Sequence, residues 1–129
     1  MILLDTHIWV WWVQNDVRLT RKYQQWLQDY KSDGLGVSIF SCWEVAKLVE
    51  NNRLILPLAI DEWLKAALDY PGVQLLDLTL PIVIESTRLI DFHRDPADQI
   101  IVATARNYNY QLLTADEKIL NYPHVKTLK

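Results

Sequence analysis

Short apolar runs that alternate with longer helical stretches predict an α/β domain on a mainly parallel sheet of four or five strands. Three observations carry this reading. Ile2–Leu4, Leu35–Phe40, Val73–Leu78 and Gln111–Thr114 are brief and largely apolar without clean alternation, as strands covered on both faces are. Every one is followed by a segment with helical spacing or a helix-capping residue. No repeat, linker or shift of composition divides the 129 residues, so 1–129 is expected to be a single domain.

The elements follow in order. Ile2-Leu3-Leu4 is the first strand and stops at Asp5. Thr6 to about Gln14 reads as a helix, broken by Asn15-Asp16. Thr20 can cap a second helix, Arg21 to about Ser32, with Tyr23, Trp26, Leu27 and Tyr30 on its apolar side. Asp33-Gly34 marks a turn before the strand Leu35–Phe40. Ser41 starts a helix through Val49, which Asn51-Asn52 can end in the left-handed conformation. Pro57 punctuates, Asp61 to Leu68 is helical, and Pro71-Gly72 precedes the strand Val73–Leu78. Leu80 to about Phe92 is expected as one helix, with Val83, Ser86, Thr87 and Ile90 on a small or apolar face. Asp95 can cap, and Pro96 can open, a helix to about Asn107. The strand Gln111–Thr114, a short helix Asp116–Leu120 and a candidate fifth strand Val125–Leu128 complete the chain.

Composition narrows the function. Half the residues are hydrophobic, and with three glycines and five prolines the chain is neither low-complexity nor disordered. A net charge of −3 means that nucleic acid must be held by local cations or by metal ions. The single cysteine, Cys42, permits no internal disulfide and suits a reducing compartment. The longest aromatic-aliphatic run, Ile8–Val13, is too short to span a bilayer, so the expected location is the cytoplasm, with no membrane partner.

The chemistry is expected at the carboxyl ends of the strands, where open parallel sheets bind ligands. Asp5 directly follows the first strand, and Glu44 lies in the first turn after the second. Asp98 lies in the first turn of the helix opened by Pro96, heading a face with Ile101, Val102 and Ala105. Asp116 follows the last main strand by two residues. Each acid has a plain alternative as a helix cap or capping-box member, in Ser41–Glu44 and Thr114–Glu117 among others. Together they are harder to explain so. Two carboxylates about 4 Å apart at an effective dielectric near 20 repel by roughly 4 kcal/mol. Four around one rim require a cation or raised pKa values. Oxygen-only ligands favour Mg²⁺ or Mn²⁺, and the absence of Cys/His spacing disfavours zinc.

With those residues in view, the chain resembles the PIN-domain family, and most of all its VapC-type toxins. The resemblance rests on Leu3-Leu4-Asp5-Thr6-His7, Ser41-Cys42-Trp43-Glu44-Val45-Ala46, His93-Arg94-Asp95-Pro96-Ala97-Asp98 with Ala103-Thr104-Ala105, and Leu113-Thr114-Ala115-Asp116. It implies a three-layer α/β/α sandwich and a Mg²⁺- or Mn²⁺-dependent ribonuclease. It also implies a small antitoxin partner and a homodimer. Carried over residue by residue, it assigns Asp5, Glu44, Asp98 and Asp116 as metal ligands and catalytic acids. Asp95 is a supplementary acid with a competing role as cap, and Thr114 is the hydroxyl beside the last acid. A glycine expected after the third helix is replaced by Asn51-Asn52.

Of the cations, Arg18, Arg21, Lys22, Lys47, Arg53 and Arg94 are candidates for phosphate contacts, with Arg94 favoured because it adjoins the acids. Trp9, Trp11 and Trp12 cannot all face inward from one helix, so at least one is expected at a protein interface. His7 and His93 flank acids but read as structural. Two rivals share these features: an acidic-pocket phosphohydrolase and a non-catalytic, metal-holding interaction domain. The first expects a second acid where His7 stands or a strand-end Lys, and neither is present.

Overall fold

The computed structural model describes all 129 residues. Four strands, β1 (Ile2–Leu4), β2 (Leu35–Ser38), β3 (Val73–Leu76) and β4 (Gln111–Leu113), form one all-parallel sheet in the order β3-β2-β1-β4. Seven helices connect and cover them: α1 (Thr6–Val13), α2 (Arg21–Tyr30), α3 (Ile39–Glu50), α4 (Ile60–Leu68), α5 (Leu80–Ser86), α6 (Pro96–Tyr108) and α7 (Glu117–Leu120). Because successive strand side chains point to opposite faces, β1 feeds both layers of core. Ile2 and Leu4 join Trp9, Leu27, Val45 and Trp63 on the side of α1 to α4. Leu3 joins Ile101, Val102, Ala105 and Ile119 on the side of α6 and α7. The result is the expected three-layer α/β/α sandwich.

Several boundaries differ from those the sequence predicts, each for a local reason. The second strand stops at Ser38 rather than Phe40, because the Ser38 hydroxyl accepts from the Phe40 backbone N–H at 3.0 Å and caps α3 itself. Ile39 and Phe40 are therefore helical, and Ser41 lies inside α3 instead of starting it. The third strand ends at Leu76. The helix expected through Phe92 ends at Ser86, where the Ser86 and Thr87 hydroxyls donate back to the carbonyls of Val83 and Ile84. In place of the apolar face expected from Val83 to Ile90, it is Ile82 and Ser86 that are buried, with Val83 and Ile90 exposed. No fifth strand forms. A single parallel bridge joins Thr127 to Leu112, flanked by hydrogen bonds from Leu112 N–H to the Lys126 carbonyl and from Leu128 N–H to the Leu112 carbonyl. After α3, Asn52 takes the left-handed conformation at φ 58°, doing with a side chain what the expected glycine does without one.

β1 lies between β2 and β4, with its carboxyl end leading straight into Asp5. The connections leaving β2 and β4 start helices at the same edge. That edge is where the acids gather.

Candidate functional site

Asp5 is buried and fully engaged at the end of β1. Its Oδ1 accepts from the Thr6 N–H at 2.8 Å, capping α1, and its Oδ2 accepts from the Thr114 hydroxyl at 2.7 Å. Thr114 Oγ1 in turn accepts from the Asp116 N–H at 3.0 Å. The start and the far end of the chain are thus tied together at the strand ends. His7 adds a second tie, accepting from the Ala115 N–H through Nε2 at 3.0 Å, a structural role as the sequence suggested.

Glu44 sits on the inner side of α3. The Thr6 hydroxyl donates to its Oε1 at 2.6 Å, and the buried Ser41 hydroxyl lies 2.7 Å from that of Thr6. A hydroxyl has one proton to give, so with Thr6 donating to Glu44, Ser41 supplies the other hydrogen bond. Burial, and secondarily the charges of Asp5 and Asp95, push the Glu44 carboxyl up to about 6, against the lowering effect of the Thr6 bond.

Asp98 is the most perturbed acid. Burial, then the charges of Asp5, Asp95, Asp116 and Glu44, raise it from 3.8 to about 7. α6 is buried nearly all round beyond its first turn, with Ile101, Val102, Ala103, Thr104 and Ala105 inside, and this anchors the carboxylate above the sheet edge. His93 Nε2 lies 3.1 Å from Asp98 Oδ2 but off the line a hydrogen bond needs, so the contact is ionic only when the imidazole is protonated. Asp95 Oδ1 accepts from the Asp98 N–H at 3.1 Å. That bond makes Asp95 the N-cap of α6 while leaving its charge beside Asp98. Asp116 caps α7, its Oδ1 accepting from the N–H groups of Lys118 and Ile119.

Asp5, Glu44 and Asp98 line one cavity of about 280 Å³ together with Thr6, Trp11, Arg18 and Arg53. Asp116 does not line it, but acts on Asp98 through its charge. Arg94, favoured in sequence as a phosphate contact, is exposed before α6 and lines neither this cavity nor the groove beside it. Arg53 lines both, and Arg18 lines the first. Among the tryptophans, Trp9 is buried edge-on against Trp63, Trp12 packs edge-on against Tyr70, and Trp11 faces the acid cavity under the Arg18 guanidinium. The sequence reading missed Thr6 and Ser41 as the holders of Glu44. Hydroxyls adjoining an acid at a strand end or in a first helical turn were the available signal.

The donor set suits a hard divalent cation. Glu44, Asp98 and Asp116 each keep a carboxylate oxygen without a hydrogen-bond donor from the protein. No three Asp, Glu, His or Cys side chains are drawn together as a ready-made cage. Such an arrangement fits a Mg²⁺-like ion, which keeps several waters and takes only one or two protein carboxylates.

Known proteins resemble the chain along almost its whole length. A PIN-domain family model matches residues 2–125. The chain is 30% identical over 124 residues to Ribonuclease VapC22 of Mycobacterium tuberculosis, covering 95% of this chain and 92% of the relative. Among solved structures, the FitAcB structure from Neisseria gonorrhoeae matches with a TM-score of 0.71 at 20% identity, covering 100% of this chain and 97% of that one. VapBC2 from Rickettsia felis, bound to a promoter DNA fragment, matches at 0.67 and 16% identity, over 99% and 98% of the two chains.

Proposed function

The chain belongs to the PIN-domain family, and on that premise we propose that it is a ribonuclease toxin, hydrolysing RNA phosphodiester bonds with Mg²⁺ or Mn²⁺ and restrained by a small antitoxin. Similarity to Ribonuclease VapC22 along almost the whole length supports the activity. Fold-level likeness to toxin–antitoxin assemblies supports the partner. The homodimer implied by the sequence resemblance belongs to the same proposal, as do residues 1–129 acting as one domain in the cytoplasm. No helix is long and apolar enough to cross a membrane.

One observation carries the chemical reading: Asp98 is forced up to about 7 by burial and by four neighbouring carboxylates, a crowding that a cation relieves. A bound divalent ion would supply Lewis-acid activation of water and neutralise phosphate charge. Asp98 and Asp116, with their free oxygens, would hold it, while the free oxygen of Glu44 stays open to the water beside it. Asp5 already has both oxygens hydrogen-bonded, so it fixes the edge of the site and offers its remaining lone pairs. Glu44, raised to about 6, is poised to take a proton from the attacking water near neutral pH. Arg53 and Arg18 line the cavity and can meet the flanking phosphates that the acids repel.

The test is cleavage of single-stranded RNA by the purified chain with Mg²⁺ or Mn²⁺, with EDTA, and with Asp98→Asn. Cleavage abolished by chelator and by the substitution supports the reading. Equal cleavage by Asp98→Asn, after separation from contaminating nuclease, overturns it. RNA-independent metal binding with no cleavage would instead favour the non-catalytic interaction domain.

A further inference from the structure

We propose that the Phe40–Trp43 face of α3 is a stacking seat for one unpaired base of the RNA, beside the acid cavity. The proposal rests on the ribonuclease reading and names how the strand is gripped. Trp43 is 54% exposed, the one tryptophan whose surface is mostly open. Its neighbours explain why the others cannot serve. Trp9 is wholly buried, the Trp11 face is covered by Arg18 at 5.0 Å, and Trp26 is covered by Lys22 at 4.8 Å. Trp12 and Trp63 are packed edge-on against other rings. Phe40 lies one helical turn before Trp43, with ring centroids 5.4 Å apart and planes tilted by 31°, so the pair forms a two-ring ledge.

The ledge has the right surroundings for a nucleic-acid strand. It opens on a groove of about 320 Å³ that shares Glu44, Leu48 and Arg53 with the acid cavity. Trp43 and Glu44 line this same groove, so a base on the ledge would lie beside the phosphate that the acids would process. Lys47 Nζ, held by Glu50 at 2.7 Å, lies 5.9 Å over the Trp43 ring, farther off than the cations over Trp11 and Trp26, and leaves that ring mostly open. Arg53, exposed and without an ion-pair partner, spans the two spaces. The groove sets Lys47 and Arg53 against Glu44 and Asp95, and it is the unpaired Arg53 guanidinium beside the open aromatic face that complements a strand carrying phosphates and flat bases. In a duplex both base faces are already stacked, which restricts the occupant to single-stranded RNA or an unpaired loop. A purely apolar protein partner would leave Arg53 uncompensated.

The test uses fluorescence anisotropy with fluorescein-labelled octaadenylate and an abasic ribose-phosphate octamer. Both are titrated with Mg²⁺ present into the cleavage-deficient Asp98→Asn chain, with and without Trp43→Ala or Trp43→Phe. Loss of one base–aromatic stack predicts roughly 5- to 100-fold weaker octaadenylate binding with Trp43→Ala, while Trp43→Phe stays within about threefold. The abasic octamer should bind the parent and the Trp43→Ala chain equally. Unchanged octaadenylate binding, an equal loss on the abasic strand, or a change in sedimentation that marks Trp43 as a protein–protein contact overturns the proposal. Trp43-dependent binding without any cleavage by the unsubstituted chain upholds the seat and sinks the ribonuclease reading. Cleavage and binding that ignore Trp43 do the reverse.

Discussion

The Thr114 hydroxyl donates to Asp5 Oδ2 at 2.7 Å, joining residues 109 positions apart across the ends of β1 and its edge neighbour β4. Thr114 is completely buried and Asp5 nearly so, which leaves water no access to replace the bond. Thr114→Val should leave that oxygen short of a donor and cost about 1–3 kcal/mol of stability, whereas Thr114→Ser should cost less than about 1 kcal/mol. Urea unfolding of the three proteins decides it. A valine variant as stable as the parent would show that the bond contributes nothing net.

Asp98→Asn should stabilise the metal-free fold at high pH. The folded state holds this proton up to about pH 7, while the unfolded chain releases it near the ordinary value of 3.8. Below 3.8 both states are protonated and the acid carries no penalty. Between 3.8 and 7 stability falls as pH rises, and above 7 the full cost persists. After discounting for solvent screening, the asparagine chain should be more stable by about 1–2 kcal/mol at pH 8, with the difference shrinking towards zero at pH 4. Unfolding in EDTA at both pH values measures this. A gap that is the same at both would contradict the ionisation account.

Thr6→Val should move the pH dependence of cleavage. The Thr6 hydroxyl stabilises the ionised form of Glu44 and so holds down, to about 6, a pKa that burial raises. Without it, Glu44 becomes half-ionised at a higher pH. Activity at pH 6 should then fall by a larger factor than activity at pH 8, and a pH–rate profile whose acid limb does not move argues against Glu44 as a proton acceptor.

Mn²⁺ binding should displace protons below about pH 7. With Asp98 largely protonated there, affinity should rise by up to about tenfold per pH unit and flatten above pH 7. Calorimetry in two buffers of different ionisation enthalpy reads the released protons directly. The bound ion should also raise the thermal midpoint, since it favours the folded chain by mass action. A pH-independent affinity would place the ion away from Asp98.

What could be read in advance, and what could not, follows from the range of the forces involved. The strand Ile2–Leu4 and the Asp95-Pro96 helix start were legible because burial on both faces and N-terminal capping leave local marks. Asp5, Glu44 and Asp116 could be named from their place after strands, and Asp98 from its place in the first turn after Asp95-Pro96, all of them local marks. The helix ending at Ser86 was misjudged because apolar spacing continues to Ile90, while the hydroxyls of Ser86 and Thr87 turn back onto the preceding turn. Ile39 and Phe40 extend the expected strand because an apolar pair reads the same in either element, and only the Ser38 cap assigns them to α3. The Thr6–Glu44 bond could not be read at all, since it joins residues 38 apart that meet only when α1 and α3 pack.

The parallel order β3-β2-β1-β4 sets when during synthesis this site can exist. β1 is made well before its outer neighbour β4, which comes only at Gln111–Leu113, and Thr114 and Asp116 follow it. A nascent chain that has reached α6 carries Asp5, Glu44 and Asp98 but lacks the strand and the hydroxyl that clamp Asp5 in place. The β4 segment therefore works as a timer: the acid constellation stays incomplete on the ribosome until Gln111–Asp116 have been made and paired with β1.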